Sequence, residues 1–441
     1  MGEDDLKFAV VLVSSVFMSM LIRIAVPVRF RSDVSAVAGA CYIIYACGVP
    51  KALHPLSAVG VSMVCHRFVP DRYRVAAAFA TAFGHLAVLR MLPTPPGGPT
   101  NAALLVLVLR LAAADGAVAA SANGEHIYEL MRYTLCYHGL FTAPYYTYAE
   151  WVSTMRTPSP VPPVRRWAST LLQVLFAIGV WRGTAAFLPY TAVWETPAGE
   201  AAFYNRLAYF YLSSFQFRWR FYSCWLTMQL SGEFLGHHNP SNADLNATEL
   251  CTSPSQYIGG WNSSVQAWLK HNVYRGLLPA TSPRLIRQLA TFAVSAFWHG
   301  VRPGYYLFFL GLFAMVCVEQ LVRAALADQH WEGSRLMRVA SGVGEGDFVS
   351  RAAHALVSLV CHVWTMLCFG FFGGAFNLLA WSDVLNLWRS LRFYGLWLTL
   401  LPALPAVLSL LWAARRRTAR GQRPRGAVRG VASPIQTGKE S

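Results

Sequence analysis

Charge is the scarcest ingredient of this 441-residue sequence. Asp, Glu, Lys and Arg make up 13% of it, against about 25% in an average soluble domain. So little charge cannot coat a water-soluble body of this size, and a disordered chain is excluded by the same shortage combined with 55% hydrophobic residues. No C-x-x-C pair occurs among the nine cysteines, so no zinc ligand set is visible and a disulfide scaffold is excluded. Most of these thiols sit in apolar runs and read as small core side chains. The start is not positive: Glu3, Asp4 and Asp5 precede the first apolar run, 6–22. A signal peptide needs a basic start, so this run reads as an uncleaved membrane helix. Leu6 stands where a myristoylation signal needs Ser or Thr.

What the sequence has instead is apolar length. The mean hydropathy is +0.37. Further runs lie at about 34–49, 52–66, 73–92, 101–121, 127–143, 168–190, 203–231, 287–299, 304–326, 350–380 and 391–412. Some fall short of the ~20 residues of a straight span and read as half-helices or re-entrant pieces buried in protein. The expected fold is all-α, a polytopic membrane protein with about 9–11 transmembrane helices around a central chamber. Residues 1–412 form one multi-spanning domain, without internal repeats.

The net charge is +16, and residues 413–441 carry eight basic residues against one acid. Beside an apolar segment such a tail reads as a disordered cytoplasmic flank rather than a nucleic-acid arm. Arg23, Arg29 and Arg31 likewise make 23–33 a cytoplasmic loop and leave the N-terminus luminal. Turns are expected at Pro93–Pro99 and at Pro158–Pro163.

Polar groups at membrane depth are costly and therefore candidates for function. His299 follows an uncharged run in Ser295-Ala296-Phe297-Trp298-His299-Gly300-Val301-Arg302-Pro303-Gly304-Tyr305-Tyr306. Gly300, Pro303 and Gly304 break the helix there. Such a histidine either lines a cavity or ends an ordinary helix in an aromatic belt. Upstream, Trp261, Val265, Trp268 and Leu269 share one helical face with Asn262 on its border. This is either a site-bearing helix or a plain interfacial one. Asn262-Ser263-Ser264 and Asn246-Ala247-Thr248 also fit the glycosylation sequon, the first of them as a poor acceptor.

W-N-x5-W-L-x4-Y followed by S-A-F-W-H-G-x2-P-G-Y-Y resembles the membrane-bound O-acyltransferase family, whose mark is an Asn and a His a few tens of residues apart. Here Asn262 and His299 are 37 apart. The surrounding residues resemble its lysophospholipid branch. Leu92-Pro93-Thr94-Pro95, Thr100-Asn101-Ala102, 133–144, 217–222 and the C-terminal Arg cluster are similar to the lysophosphatidylinositol acyltransferases of animals. The polar segment ahead of Trp261 is shorter than that likeness implies.

The resemblance implies acyl transfer from acyl-CoA, a co-substrate, to the free sn-2 hydroxyl of a lysophospholipid. It implies phospholipid remodelling in the endoplasmic reticulum membrane, with no cofactor and no metal. The expected partners are acyl-CoA, lysophospholipid and membrane lipids. A hydroxyl needs a base within about 2.6–3.2 Å, and a neutral imidazole suits that task, so His299 is the expected general base. Asn262 is expected to be essential, as an oxyanion donor or as an orienting group. Neither Ser263 nor Ser295 sits in a nucleophile elbow, so direct transfer is expected.

Arg218 and Arg220 either meet phosphates near the reaction tunnel or snorkel at a helix end, with Lys270, His271 and Arg275 as substitutes. Phe297, Trp298, Tyr305 and Tyr306 are expected to line the acyl slot or simply to pack. The alternatives are another lipid, sterol or protein acceptor, or a polytopic transporter or channel. A transporter calls for paired intramembrane charges or repeat symmetry, and neither is visible.

Overall fold

The apolar faces of the long helices point outward. In α1 (Glu3–Ala25), Leu6, Val10, Val13, Phe17, Leu21 and Ile24 are exposed, stepping three or four residues at a time, while Ser15 and Ser19 are buried. This inverts a water-soluble helix and is what lipid as solvent selects. The structure is a computed structural model that describes residues 2–92, 97–113, 126–157, 162–188, 203–326 and 348–419. The turns expected at Pro93–Pro99 and Pro158–Pro163 lie largely outside these residues.

Six further elements complete the first half: α2 (Val28–Cys47), α3 (Val49–Phe68), α4 (Asp71–Arg90), α5 (Gly98–Ala113), α6 (His126–Thr134) and α7 (Tyr148–Arg156). Then come α8 (Val164–Phe187), α9 (Phe203–Leu235), α10 (Leu245–Glu249), α11 (Pro254–Gly260) and α12 (Ser263–Leu269), which runs into a π-helical turn over Lys270–Tyr274. The remaining elements are α13 (Arg284–His299), α14 (Pro303–Leu326), α15 (Phe348–Leu378), α16 (Trp381–Ser390), α17 (Tyr394–Leu400) and α18 (Ala403–Ala419).

The described residues contain no strand, and the chain is an all-α polytopic membrane protein. Five segments among them are long and apolar enough to cross a membrane: α1, α8, α14, Arg351–Leu378 and Tyr394–Trp412.

Three sequence expectations change. The loop expected at 23–33 shrinks to Val26 and Pro27: the proline holds the residue before it extended, which ends α1, and α2 begins at Val28. Arg31 folds back instead, donating to the carbonyls of Arg23 (3.3 Å) and Val26 (3.2 Å) at the end of α1. The tail placed at 413–441 begins inside α18, which continues to Ala419; residues 420–441 lie outside those described.

The apolar run at 127–143 is a helix only as far as Thr134. Beyond it the backbone is irregular yet buried, which is tolerated at depth only if its polar groups find partners. Arg110, fully buried in α5, supplies them. Its guanidinium donates to the carbonyls of Thr134 (3.0 Å), Cys136 (2.7 Å) and His138, and to Tyr146 Oη (2.9 Å). From the other side α2 approaches closely at Gly39, where a Cβ would come within 1.8 Å of the Leu135 carbonyl oxygen.

Small and polar side chains tie α1 to α9. Ser19 Oγ lies 2.8 Å from Ser231 Oγ and 2.7 Å from Tyr137 Oη, and Ser231 also donates to the Ser15 carbonyl (3.1 Å). Close helix approach through serine is expected where lipid removes the hydrophobic drive between helices.

Candidate active site

The last turn of α13 is wedged between two cores. Ala296 packs into a cluster built from α14 to α17 with Phe210 and Tyr257. Trp298 packs into a second cluster with α4, α5 and α12, and its indole N–H donates to the Leu105 carbonyl (2.9 Å). His299 comes next and ends the helix. Its ring lies 4.9 Å from Phe376, 5.3 Å from Phe309 and 5.8 Å from Tyr305, centroid to centroid.

Phe376 reaches His299 because α15 ends against the start of α14. The Gly304 N–H donates to the Leu379 carbonyl (2.9 Å), and a Cβ on Gly304 would lie 2.2 Å from the Ala375 carbonyl oxygen. The glycine of the P-G-Y-Y motif is thus needed for close approach.

Asn262 lies in the left-handed region, φ 48° and ψ 52°, a conformation asparagine tolerates better than most residues. Its turn starts α12 at Ser263, so the single helical face expected from Trp261 to Leu269 is broken. Val265, Trp268 and Leu269 pack with α4 and α5. Trp261 turns away to stack among Tyr222, Trp225 and Tyr257.

Two cavities meet here, and Asn262, His299, Phe221, Trp225, Val265 and Trp298 line both. The first, about 120 Å³, is walled mainly by aromatic and aliphatic groups, among them Phe217, Trp261, Phe308, Leu312, Met366 and Phe369. The second, about 400 Å³, runs past Asn101, Thr142, Tyr145 and Cys224 to Asp4, Asp5 and Arg220. Asp4, Asp5 and Arg220 are exposed, so this cavity reaches the protein surface.

The two arginines of α9 part company. Arg218 lines the first cavity, but its guanidinium is engaged bidentately by Glu249, Nε to Oε1 at 2.8 Å and Nη2 to Oε2 at 3.0 Å. Tyr222 donates to the same carboxylate (2.8 Å). Removing one partner of such a buried pair costs about 3–5 kcal/mol. Arg220 lines the second cavity and pairs with Asp5 (3.1 Å) in a half-exposed contact.

Of the proposed slot residues, Trp298 lines both cavities and Tyr305 touches the His299 ring. Phe297 stacks on Phe83, and Tyr306 packs on the α14–α17 core; neither lines these two cavities. Lys270, His271 and Arg275 are exposed on and just after the π-helical turn, away from both. The Asn246 sequon sits in α10 with Thr248 fully buried and its hydroxyl bonded to the Asp244 carbonyl (2.9 Å).

Sequence reasoning missed two residues. Arg90, buried at the end of α4, donates to the Trp298 carbonyl (3.3 Å) in the final turn of α13. Asn242, 1% exposed, hydrogen-bonds Asn262. Arg90 was readable as a charge inside an apolar run; nothing in the sequence singled out Asn242.

A profile of the membrane-bound O-acyltransferase family matches residues 86–346, more than half of the chain. The chain belongs to this family. Its members are O-acyltransferases, which favours an enzyme over the transporter or channel alternative. The chain is 26% identical to membrane-bound acylglycerophosphatidylinositol O-acyltransferase MBOAT7 of Homo sapiens, over 89% of this chain and 91% of the relative. The Mus musculus protein of that name matches with the same identity and coverage. Lysophospholipid acyltransferase 1 of Arabidopsis thaliana is 25% identical over 72% of this chain and 79% of its own length. The family segment spans Asn262 and His299, the residues at which the two cavities meet.

Proposed function

We propose that the protein transfers an acyl group from acyl-CoA to the free sn-2 hydroxyl of a lysophospholipid, with lysophosphatidylinositol as the preferred acceptor. The observation that carries this reading is the meeting of an apolar cavity and a polar-ended one at Asn262 and His299. The largely apolar walls of the first suit the few methylenes of an acyl chain next to the thioester. A lysolipid headgroup fits the second. Arg220 suits its phosphate, and Asp4, Asp5 and Asn101 suit the hydroxyls of a polyol. The names of the MBOAT7 relatives support the inositol headgroup.

In the proposed reaction His299 takes the proton of the acceptor hydroxyl as its oxygen attacks the thioester carbon. The tetrahedral intermediate then collapses, the C–S bond breaks, and the thiolate of coenzyme A leaves and is protonated. Asn262 faces the same space as His299 and is placed to act on the oxyanion. We assign the enzyme to the endoplasmic reticulum membrane, N-terminus luminal and C-terminus cytoplasmic. The Asp4–Asp5 end of the second cavity then faces the lumen.

The test is a competition assay. Membranes containing the protein receive labelled acyl-CoA and equal amounts of inositol, choline, ethanolamine and serine lysolipids. Diacyl phosphatidylinositol is expected to dominate the products. Dominance of another product overturns the acceptor assignment, and no product from any acceptor overturns the reaction.

Gly304→Ala is a second check on the geometry. Its Cβ would have to displace the Ala375 backbone and, with it, Phe376 beside His299. Misplacement by about 1 Å costs about 10²-fold in rate. The expected result is such a loss in initial rate, with the protein still extracted as a single species by size exclusion.

A further inference from the structure

The orientation of the Asn262 amide is settled by a chain of donors that cannot be reversed. The Tyr145 backbone N–H donates to Ser264 Oγ (2.9 Å), so that oxygen accepts there and its own proton points elsewhere. It goes to Asn242 Oδ1 (2.6 Å). The Ser264 backbone N–H, which can only donate, reaches the same Oδ1 (3.2 Å). The oxygen of Asn242 is therefore committed toward Ser264, and its NH₂ must point the other way. That NH₂ donates to Asn262 Oδ1 (2.9 Å). The Asn262 carbonyl thus faces the buried Asn242, which leaves its NH₂ for the cavity it lines with His299. The amide assignments, usually ambiguous, follow here from two backbone donors.

We propose that Asn242 is a positioning residue that holds the Asn262 NH₂ toward the shared cavity, where it donates to the thioester oxygen as that oxygen becomes an oxyanion. The role at the oxyanion rests on the acyl-transfer reading above; the orientation does not. The Asn242 backbone adds rigidity, since its carbonyl accepts from the Ser263 N–H (2.9 Å). Asn242 is therefore tied to the 262–264 segment through both its backbone and its side chain.

Two near-isosteric variants test this. In Asn242→Asp the carboxylate still accepts from Ser264 but cannot donate, so the Asn262 amide turns over and presents its oxygen to the cavity. In Asn262→Asp the bond from Asn242 survives, and only the donor is lost. Both are expected to lower kcat by about 10²–10³-fold, as for other oxyanion donors, with KM for the lysolipid unchanged. Asn242→Asp placed on Asn262→Ala is expected to add no further loss, because both remove one donor.

A readout without turnover uses protein labelled with ¹⁵N at asparagine side chains. The Asn262 NH₂ resonance, identified by its absence in Asn262→Asp, is expected to shift in Asn242→Asp. If Asn242→Asp does not fold, Asn262→Asp carries the test alone. Wild-type kcat in either folded variant, multiplying losses in the double variant, or an unmoved resonance overturns the proposal. A wild-type protein inactive on every lysolipid, together with a shifted resonance, overturns the reaction and leaves the orientation standing.

Discussion

His299→Ala is expected to lower acyl transfer by about 10²–10⁴-fold, the usual contribution of a positioned general base. The argument is geometric. His299 borders both cavities, and among the described residues no other histidine lines either of them. The loss should lie in kcat more than in KM, because the imidazole acts on a proton in flight and not on the resting substrate. Folding should survive. The ring is partly buried, and its neighbours Phe309 and Phe376 belong to a core that packs without it. Aromatic contacts of this kind are worth about 0.5–1.5 kcal/mol, too little to unfold the body. The check is an initial rate from membranes with matched protein content, beside a thermal melt in detergent. A variant with wild-type rate would remove His299 from the chemistry.

Arg110→Leu is expected to destabilise the fold severely. The variant would leave the carbonyls of Thr134 and Cys136 without their side-chain donor in a buried segment, and the His138 carbonyl with the Tyr146 hydroxyl alone (2.8 Å). Each unsatisfied group costs about 1–3 kcal/mol, so the two carbonyls together cost a large share of the stability of a typical domain, about 5–15 kcal/mol. Arg110→Lys keeps the charge but loses the planar fork that spans several acceptors, and it should melt between the other two. The measurement is size exclusion and thermal unfolding of detergent-extracted protein. A monodisperse Leu variant melting like wild type would show that irregular backbone at 135–147 finds its partners elsewhere. Loss of activity is expected to follow loss of fold, because this segment carries Thr142 and Tyr145 into the second cavity.

Much of the architecture was legible from periodicity and scarcity of charge. The apolar runs became helices because a backbone in lipid must satisfy itself internally. The histidine was legible because an uncharged run broken by Gly300, Pro303 and Gly304 leaves a polar group stranded. The run at 127–143 misled because hydrophobicity reports depth and not conformation; what keeps that backbone irregular is a donor 24 or more residues upstream. The arginines of α9 misled in part because the sequence could not show Glu249 arriving beside Arg218. Lys270, His271 and Arg275 fell away because the helix that carries them turns π-helical and leaves the cavities.

By itself the sequence determined that this chain lives in a membrane, that its body is helical, and that Asn262 and His299 stand out in it. The first two are consequences of local composition and spacing, which neighbouring residues alone decide; the pair was singled out by its resemblance to the family's motif. Only the tertiary structure decided which charges are spoken for, that two cavities share one wall, and which end of the Asn262 amide faces them. These depend on hydrogen bonds between segments such as 145, 242 and 264, far apart in the chain. Spacing cannot encode the direction of a donor, whereas a folded backbone N–H points only one way.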